Sequence, residues 1–310
     1  MHIAIMAAGA LGGILGARLG AGGEQVSVIA RGPHLEVIRK HGLKIESALG
    51  DVVLTPHIAT DDPAEIGPVD VIIFTVKLWD TQSAAVACKP MLGEETIIVP
   101  FQNGVESAAI LGNILGADRI MSGVAYISAA MTGPGEIRQN GEFANYLMGA
   151  PSGVAAPPML DRFIEACKNA NVNAMKVENI EAQLWKKLVF FAPFSGLMAS
   201  ARTDLGTIRD DEDLSRILAA AMEEAAAVAK ARGIELEENV VQTHLENLKN
   251  MPAGMRATMA FDLDAGRKIE AYWLGGGVSR LGREAGVATP VNDTLYASVK
   301  PFASSMDVVG

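Results

Sequence analysis

The apolar positions of the chain follow two different periods. Over the first part, short apolar runs alternate with segments of helical spacing. Residues 1–6, 25–30 (QVSVIA), 69–76 (VDVIIFTV), 96–100 (TIIVP) and 120–129 read as strands. Between them, residues 10–22, 33–41, 81–91 and 106–115 read as helices, with Leu35 and Ile38 marking the buried side of the second. The run 69–76 is continuously apolar, the pattern of a central parallel strand buried on both faces. Residues 43–54 alternate and predict a pair of short strands. Asp61-Asp62-Pro63 starts a helical turn, and 136–149 predicts a hairpin at the sheet edge. A helix from Pro157-Pro158 to about Asn169 and a strand over 173–177 follow.

After Glu178 only the helical period remains. Helices are predicted over 180–201, interrupted at Pro193, and over 210–232, 237–250, 254–264, 269–285 and 293–302. The pattern therefore predicts an α/β fold: a Rossmann-type doubly wound parallel sheet over residues 1–179, then an all-α domain over 180–310. A chain of 310 residues is long enough for two cores.

Composition narrows the classes. Aromatic residues are only 5% of the chain, so helices and sheet must pack through Ala, Gly, Leu and Val. A net charge of −10 supplies no basic field for nucleic acid or an anionic membrane. Cys88 and Cys167 stand far apart and read as small buried residues. The five histidines (2, 34, 41, 57 and 244) have no metal-ligand spacing, so no metal is expected. The N-terminus enters a strand with no signal-peptide pattern, and no apolar run reaches the ~18–20 residues of a membrane span. A cytoplasmic protein is expected, and a homodimer is left open.

Candidate chemistry gathers at the ends of the predicted strands. Ile3–Gly16 reads as strand, glycine turn and helix start, with the turn at Ala7-Ala8-Gly9-Ala10-Leu11-Gly12. This is the phosphate-binding pattern G-x-G-x-x-G with alanine in the first position, which Ala7 tolerates at negative φ. Amides at a helix start face a pyrophosphate. Strand two ends in Ala30-Arg31 without the acid that would bind ribose hydroxyls. A guanidinium there pairs with a 2′-phosphate, so NADP(H) is favoured over NAD. Lys77 and Asn103 also follow strands. In LWKKLVFFAPFSG, Lys187, Phe191 and Ser195 share a helix face. Phenylalanines beside Lys187 would desolvate its amine and suit it to proton donation, although two solvated lysines with packed stems is the simpler reading of this stretch alone. Thr258 and Glu270 are each unremarked by local pattern.

Taken together, the motifs resemble the ketopantoate reductase (2-dehydropantoate 2-reductase) family over almost the whole chain. They are the glycine turn, Arg31, VIIFTVKLWDTQ, PFQNGVES, GVAYISAA, LWKKL and ATMAFDLDAGRKIEAYWLGGGVSRLGREAGVATPVND. The resemblance implies NADPH-dependent reduction of a 2-keto acid to a 2-hydroxy acid, in pantothenate biosynthesis for ketopantoate itself. It places the catalytic lysine on Lys187, the cofactor-linked asparagine on Asn103, the C-terminal glutamate on Glu270 and a cofactor-contacting alanine on Ala129. Thr258 stands where the family has a carboxylate-binding serine. Members that reduce ketopantoate carry asparagines where this chain has Phe191, Ser195 and Leu205. That departure admits a more apolar 2-keto acid, as in D-2-hydroxyacid dehydrogenases. A non-catalytic NADP-binding regulator is the alternative of another class; the joint presence of Lys187 and Glu270 argues for an enzyme.

Overall fold

Side chains alternate across the first sheet into two separate cores, which is why its strands are apolar throughout. A computed structural model describes residues 1–303. The first part of the chain runs β1 (His2–Met6), α1 (Ala10–Ala21), β2 (Gln25–Ile29), α2 (Gly32–His41), β3 (Leu43–Glu46), β4 (Val52–Leu54), β5 (Ala59–Thr60), β6 (Val69–Phe74), α3 (Thr81–Ala87), β7 (Leu92–Pro100), α4 (Ser107–Leu115), β8 (Ser122–Gly133), β9 (Glu136–Gly149), α5 (Pro158–Asn169) and β10 (Ala174–Lys176). Five parallel strands form one sheet in the order β5-β2-β1-β6-β7. Ile3 and Ile5 of β1, with Val71 and Ile73 of β6, join α1 and α5 on one face. Ala4, Met6, Ile72 and Phe74 join α3 and α4 on the other. The strand order reverses beside β1, so the carboxyl ends of β1 and β6 form the switch point where ligands of such sheets bind.

A second sheet lies beyond α1, in the order β10-β9-β3-β4 with β8 paired to β9. Residues 120–129 thus leave the parallel sheet, apart from a bridge between Ile98 and Ile120. The hairpin expected within 136–149 is instead one strand, and β8 and β9 are the arms of a longer hairpin turning at 133–135. The misleading signal is Asn140-Gly141. Gly141 has φ +72°, yet it sits in an irregularity where the register passes from Ile127↔Ala144 to Ala129↔Gln139. A bulge carries the same local chemistry as a turn.

Helix α1 is packed between the two sheets, which accounts for its glycines. A Cβ on Gly12 or Gly16 would meet Ile5 of β1 at 2.8–2.9 Å, and one on Gly13 would meet Ile137 of β9 at 2.4 Å. A helix pressed from both sides has no room for larger residues there.

The rest of the chain is helical: α6 (Ile180–Ala201), α7 (Leu205–Asp210), α8 (Glu212–Ala231), α9 (Val240–Leu248), α10 (Thr258–Asp264), α11 (Gly275–Ala285) and α12 (Pro290–Val299). These share one core that includes Trp185, Phe194, Met222, Val278 and Leu295. Helix α6 continues through Pro193 rather than breaking there: proline removes one intrahelical bond, and the burial of Val189, Phe194 and Leu197 around it holds the helix. Residues 254–257 precede α10 rather than belonging to it. The carbonyls of Ala253 and Met255 accept from Gly206 N and Leu205 N, which fixes that segment against the start of α7, a helix the sequence pattern did not reveal. Residues 271–274 form turns before α11. The chain divides into two compact units: Met1–Gln102 with Glu106–Ile180, and Asn103–Val105 with the chain from Glu181. Among the described residues no helix is long and apolar enough to cross a membrane, and no group of three His, Cys, Asp or Glu is placed to hold a metal ion. Cys88 and Cys167 are buried free thiols, pushed up to about 12 by burial.

Candidate functional site

Within the first unit the glycine turn follows β1. Gly9 is the N-cap of α1, in extended conformation (φ −75°), with no side-chain cap and no acidic residue in the first turn. First-turn amides at Ala10, Leu11 and Gly12 have no intrahelical carbonyl to bond. A Cβ on Gly9 would meet nothing within 4 Å, whereas one on Gly12 would lie 2.3 Å from Thr75 Oγ1 and 2.8 Å from Ala7 O. The two glycines therefore differ: Gly9 faces open space, and Gly12 permits close packing of helix on strand. Ala7 keeps out of the left-handed region, where only Asn171 and Arg202 lie among described non-glycine residues. Ala8 is buried, and Ala7, Ala10 and Leu11 are half-buried.

Arg31 ends the β2 segment as the N-cap of α2, exposed and extended. No described group pairs with its guanidinium. Lys77 follows β6, half-buried, with its amine 5.7 Å from the centre of the Trp79 ring. Gln102, not singled out from sequence, braces that loop. Its Nε2 donates to Val76 O (2.8 Å) and to Thr81 Oγ1 (2.9 Å), and the Thr81 hydroxyl donates on to Leu78 O. Ala129 lies on β8, half-buried and paired with Gln139. An uncapped helix start, an open face at Gly9 and an unpaired arginine after β2 fit the pyrophosphate and 2′-phosphate of NADP(H).

Within the second unit the two adjacent lysines of α6 part company. Lys186 turns to the surface and pairs with Glu237 at 2.8 Å. Lys187 Nζ donates to Asn103 Oδ1 at 2.9 Å and lies 5.7 Å from the Phe191 ring centre. Desolvation pushes the Lys187 pKa down to about 8, opposed by the charge of Glu270. Phe191 thus stands on the face shared with Lys187, four residues along the helix. Ser195 is fully buried, and its hydroxyl donates to Phe191 O at 2.6 Å, so its proton is held within the helix. Leu205 is also buried, at the start of α7. Thr258 is exposed as the first residue of α10. Glu270 is half-buried and opens the turns before α11, where its backbone carbonyl accepts from Trp273 N and Leu274 N.

An amine with a lowered pKa, oriented by an amide and within the field of a carboxylate, is equipped to give up a proton near neutrality. Comparison with known proteins bears on what it serves. Residues 3–153 match the family described as Ketopantoate reductase PanE/ApbA, and 179–303 match its C-terminal region. The crystal structure of a PanE/ApbA family ketopantoate reductase from Ralstonia eutropha JMP134 is 30% identical, with TM-score 0.89 over 98% of this chain and 99% of its own. The 2-dehydropantoate 2-reductase of Mesorhizobium japonicum is 28% identical over 98% of either chain. A D-mandelate dehydrogenase in ternary complex with NADH and anilino(oxo)acetate, 22% identical, shares the fold with TM-score 0.89 over 99% of this chain and all of its own. On the match of both its regions and of nearly its whole length, this chain belongs to the ketopantoate reductase family, NADP-dependent oxidoreductases that act on CH–OH groups and reduce 2-keto acids.

Proposed function

We propose that this protein reduces 2-dehydropantoate to (R)-pantoate with NADPH, and that Lys187 is the proton donor. The observation that carries the proposal is the Lys187 amine, held 2.9 Å from Asn103 Oδ1 with its pKa brought down to about 8. When bound, NADPH supplies the hydride that reduces the keto carbon. Lys187 Nζ stabilises the developing alkoxide by its charge and then protonates it, for which a pKa near the working pH is best suited. Asn103 orients the amine through Oδ1 and keeps its Nδ2 donors for the substrate carbonyl or the nicotinamide ribose. Glu270 favours the charged amine and orients it or a ribose hydroxyl. The Thr258 hydroxyl hydrogen-bonds the substrate carboxylate. In the first unit, the turn from Ala7 to Gly12 receives the pyrophosphate, Arg31 the 2′-phosphate with Lys77 supporting it, and Ala129 contacts the cofactor. A homodimer in the cytoplasm is the setting in which we place it.

A second reading is favoured by Phe191 and Ser195. An apolar ring beside the amine and a hydroxyl committed to its own helix leave fewer groups for the polar end of ketopantoate. A substrate hydroxyl left unpaired lowers affinity for it. A branched or aromatic 2-keto acid meets Phe191 without that loss. Steady-state reduction of a panel of 2-keto acids, ketopantoate included, with NADPH and with NADH separates the readings. Turnover of ketopantoate with preference for NADPH is expected. Undetectable ketopantoate reduction alongside turnover of aromatic or branched acids would establish the second reading, and NADPH binding without turnover of any would point to a regulator.

A further inference from the structure

The turn after β1 carries two carbonyl oxygens beside the amides that would receive an anion, and each is engaged by a side chain from another element. Thr75 Oγ1 donates to Ala7 O at 2.8 Å, and Ala7 O also accepts the Gly9 N–H at 2.9 Å. His34 Nε2, from α2, lies 2.8 Å from Ala8 O. The other ring nitrogen is occupied as well: Gly135 N–H donates to His34 Nδ1 at 2.8 Å. A nitrogen that accepts from an N–H carries no proton. The ring is therefore the neutral tautomer with its proton on Nε2, donating to Ala8 O. Gly135 is itself fixed. Its φ is +72°, its carbonyl accepts from Lys44 N at 2.9 Å, and a Cβ on it would lie 2.3 Å from Val37 Cγ1 of α2. The turn of the second sheet is thus docked on α2 where it sets the tautomer.

We propose that His34 is a positioning residue for the cofactor: locked as its Nε2–H tautomer by Gly135, it ties down the Ala8 carbonyl and so fixes the Ala8–Gly9 peptide at the pyrophosphate turn. This rests on the NADP(H) reading of that turn. A peptide free to rotate at Ala8–Gly9 would give up the Gly9 N–H bond to Ala7 O that sets the start of α1, and the amides of the first turn would lose their common aim. The role is separate from that of Arg31, three residues earlier. The arginine discriminates the 2′-phosphate, whereas the histidine acts on the part that NADPH and NADH share.

The test is equilibrium binding of NADPH and of NADH, followed by calorimetry, to wild type and to His34→Phe, His34→Gln and Arg31→Ala. Loss of both bonds in His34→Phe is expected to weaken both nucleotides by the same factor, on the order of tenfold. A glutamine amide carries both a donor group and an acceptor oxygen, so His34→Gln is expected to recover affinity to within about threefold of wild type. Arg31→Ala should weaken NADPH alone. Unchanged affinity in His34→Phe, an effect confined to NADPH, or equal impairment of the Phe and Gln variants would overturn the inference. Should His34→Phe not fold, His34→Ala is read by the same criteria. Wild-type protein without affinity for either nucleotide would instead overturn the NADP(H) reading itself.

Discussion

Lys187 and Lys186 are neighbours with opposite fates, and rotation about the axis of α6 decides which is which. One turns to Glu237 on the surface, the other to Asn103, 84 residues away in sequence. The spacing that puts Phe191 beside Lys187 is legible in the sequence as i, i+4. The partner Asn103 is not, because no local pattern encodes a contact of that separation. Nor does the pattern show that the Ser195 hydroxyl is taken by Phe191 O, or that His34 bridges two turns. The chemistry at Lys187 has a defined sign with pH. As the proposed donor Lys187 must hold its proton, so kcat for keto-acid reduction should be level at lower pH and fall as pH rises through about 8. Oxidation of the hydroxy acid needs the free amine and should rise through the same range. Glu270 raises the Lys187 pKa against desolvation. Glu270→Gln should therefore move the falling limb to lower pH, and an unmoved limb in a pH–rate series would remove that role. Lys187→Ala should lower turnover by about 10²–10⁴ while NADPH affinity stays near that of wild type.

At the scale of elements, α1 is where sequence and structure agree best and where the two glycines can be told apart experimentally. Gly12 is pressed against Ala7 O and Thr75, so the methyl of Gly12→Ala has to displace backbone. A loss of about 1–3 kcal/mol in denaturant unfolding is expected. Gly9 has open space and an ordinary φ, so Gly9→Ala should unfold within about 1 kcal/mol of wild type. Its methyl would stand in the place proposed for the pyrophosphate, and NADPH affinity should fall at least tenfold. A Gly9→Ala variant that binds NADPH normally would show that the anion lies elsewhere. The parallel strands were legible because burial on both faces makes them apolar throughout. The second sheet was not. Its long β9 contains Asn140-Gly141, whose local chemistry is that of a turn, and only pairing with β3, β8 and β10 makes it a strand. Likewise the segment 254–257 has helical composition, yet its backbone is committed to the start of α7.

For the molecule as a whole, the shift from a strand–helix alternation to a purely helical period was enough to see two kinds of structure along the chain. That Asn103–Val105 belong with the later helices rather than with the strand before them was not visible, since it depends on packing between segments distant in sequence. The whole-chain charge sets a further constraint. Cofactor and keto acid are both anions, and the protein carries −10. Attraction must then come from a few local cations, and these differ in their exposure to solvent. Arg31 is exposed, so the pairing proposed for it with a 2′-phosphate would be screened by salt over a Debye length of about 10 Å at 0.1 M and about 3 Å at 1 M. Lys187 is half-buried, and desolvation of its amine governs its proton affinity more than the surrounding electrolyte does. Raising salt from about 0.05 to about 0.5 M should therefore narrow the ratio of NADPH to NADH affinity severalfold, and Arg31→Ala should abolish both the ratio and its salt dependence. The pH at which keto-acid reduction declines should move little over the same range. Thermal unfolding reads the first effect independently of turnover, because a nucleotide at 100 times its Kd stabilises the native state by about 2.7 kcal/mol. At equal concentrations NADPH should raise the melting temperature more than NADH at low salt, with the difference shrinking as salt rises. A cofactor preference that persists unchanged at high salt would mean that a buried contact, and not Arg31, selects the 2′-phosphate.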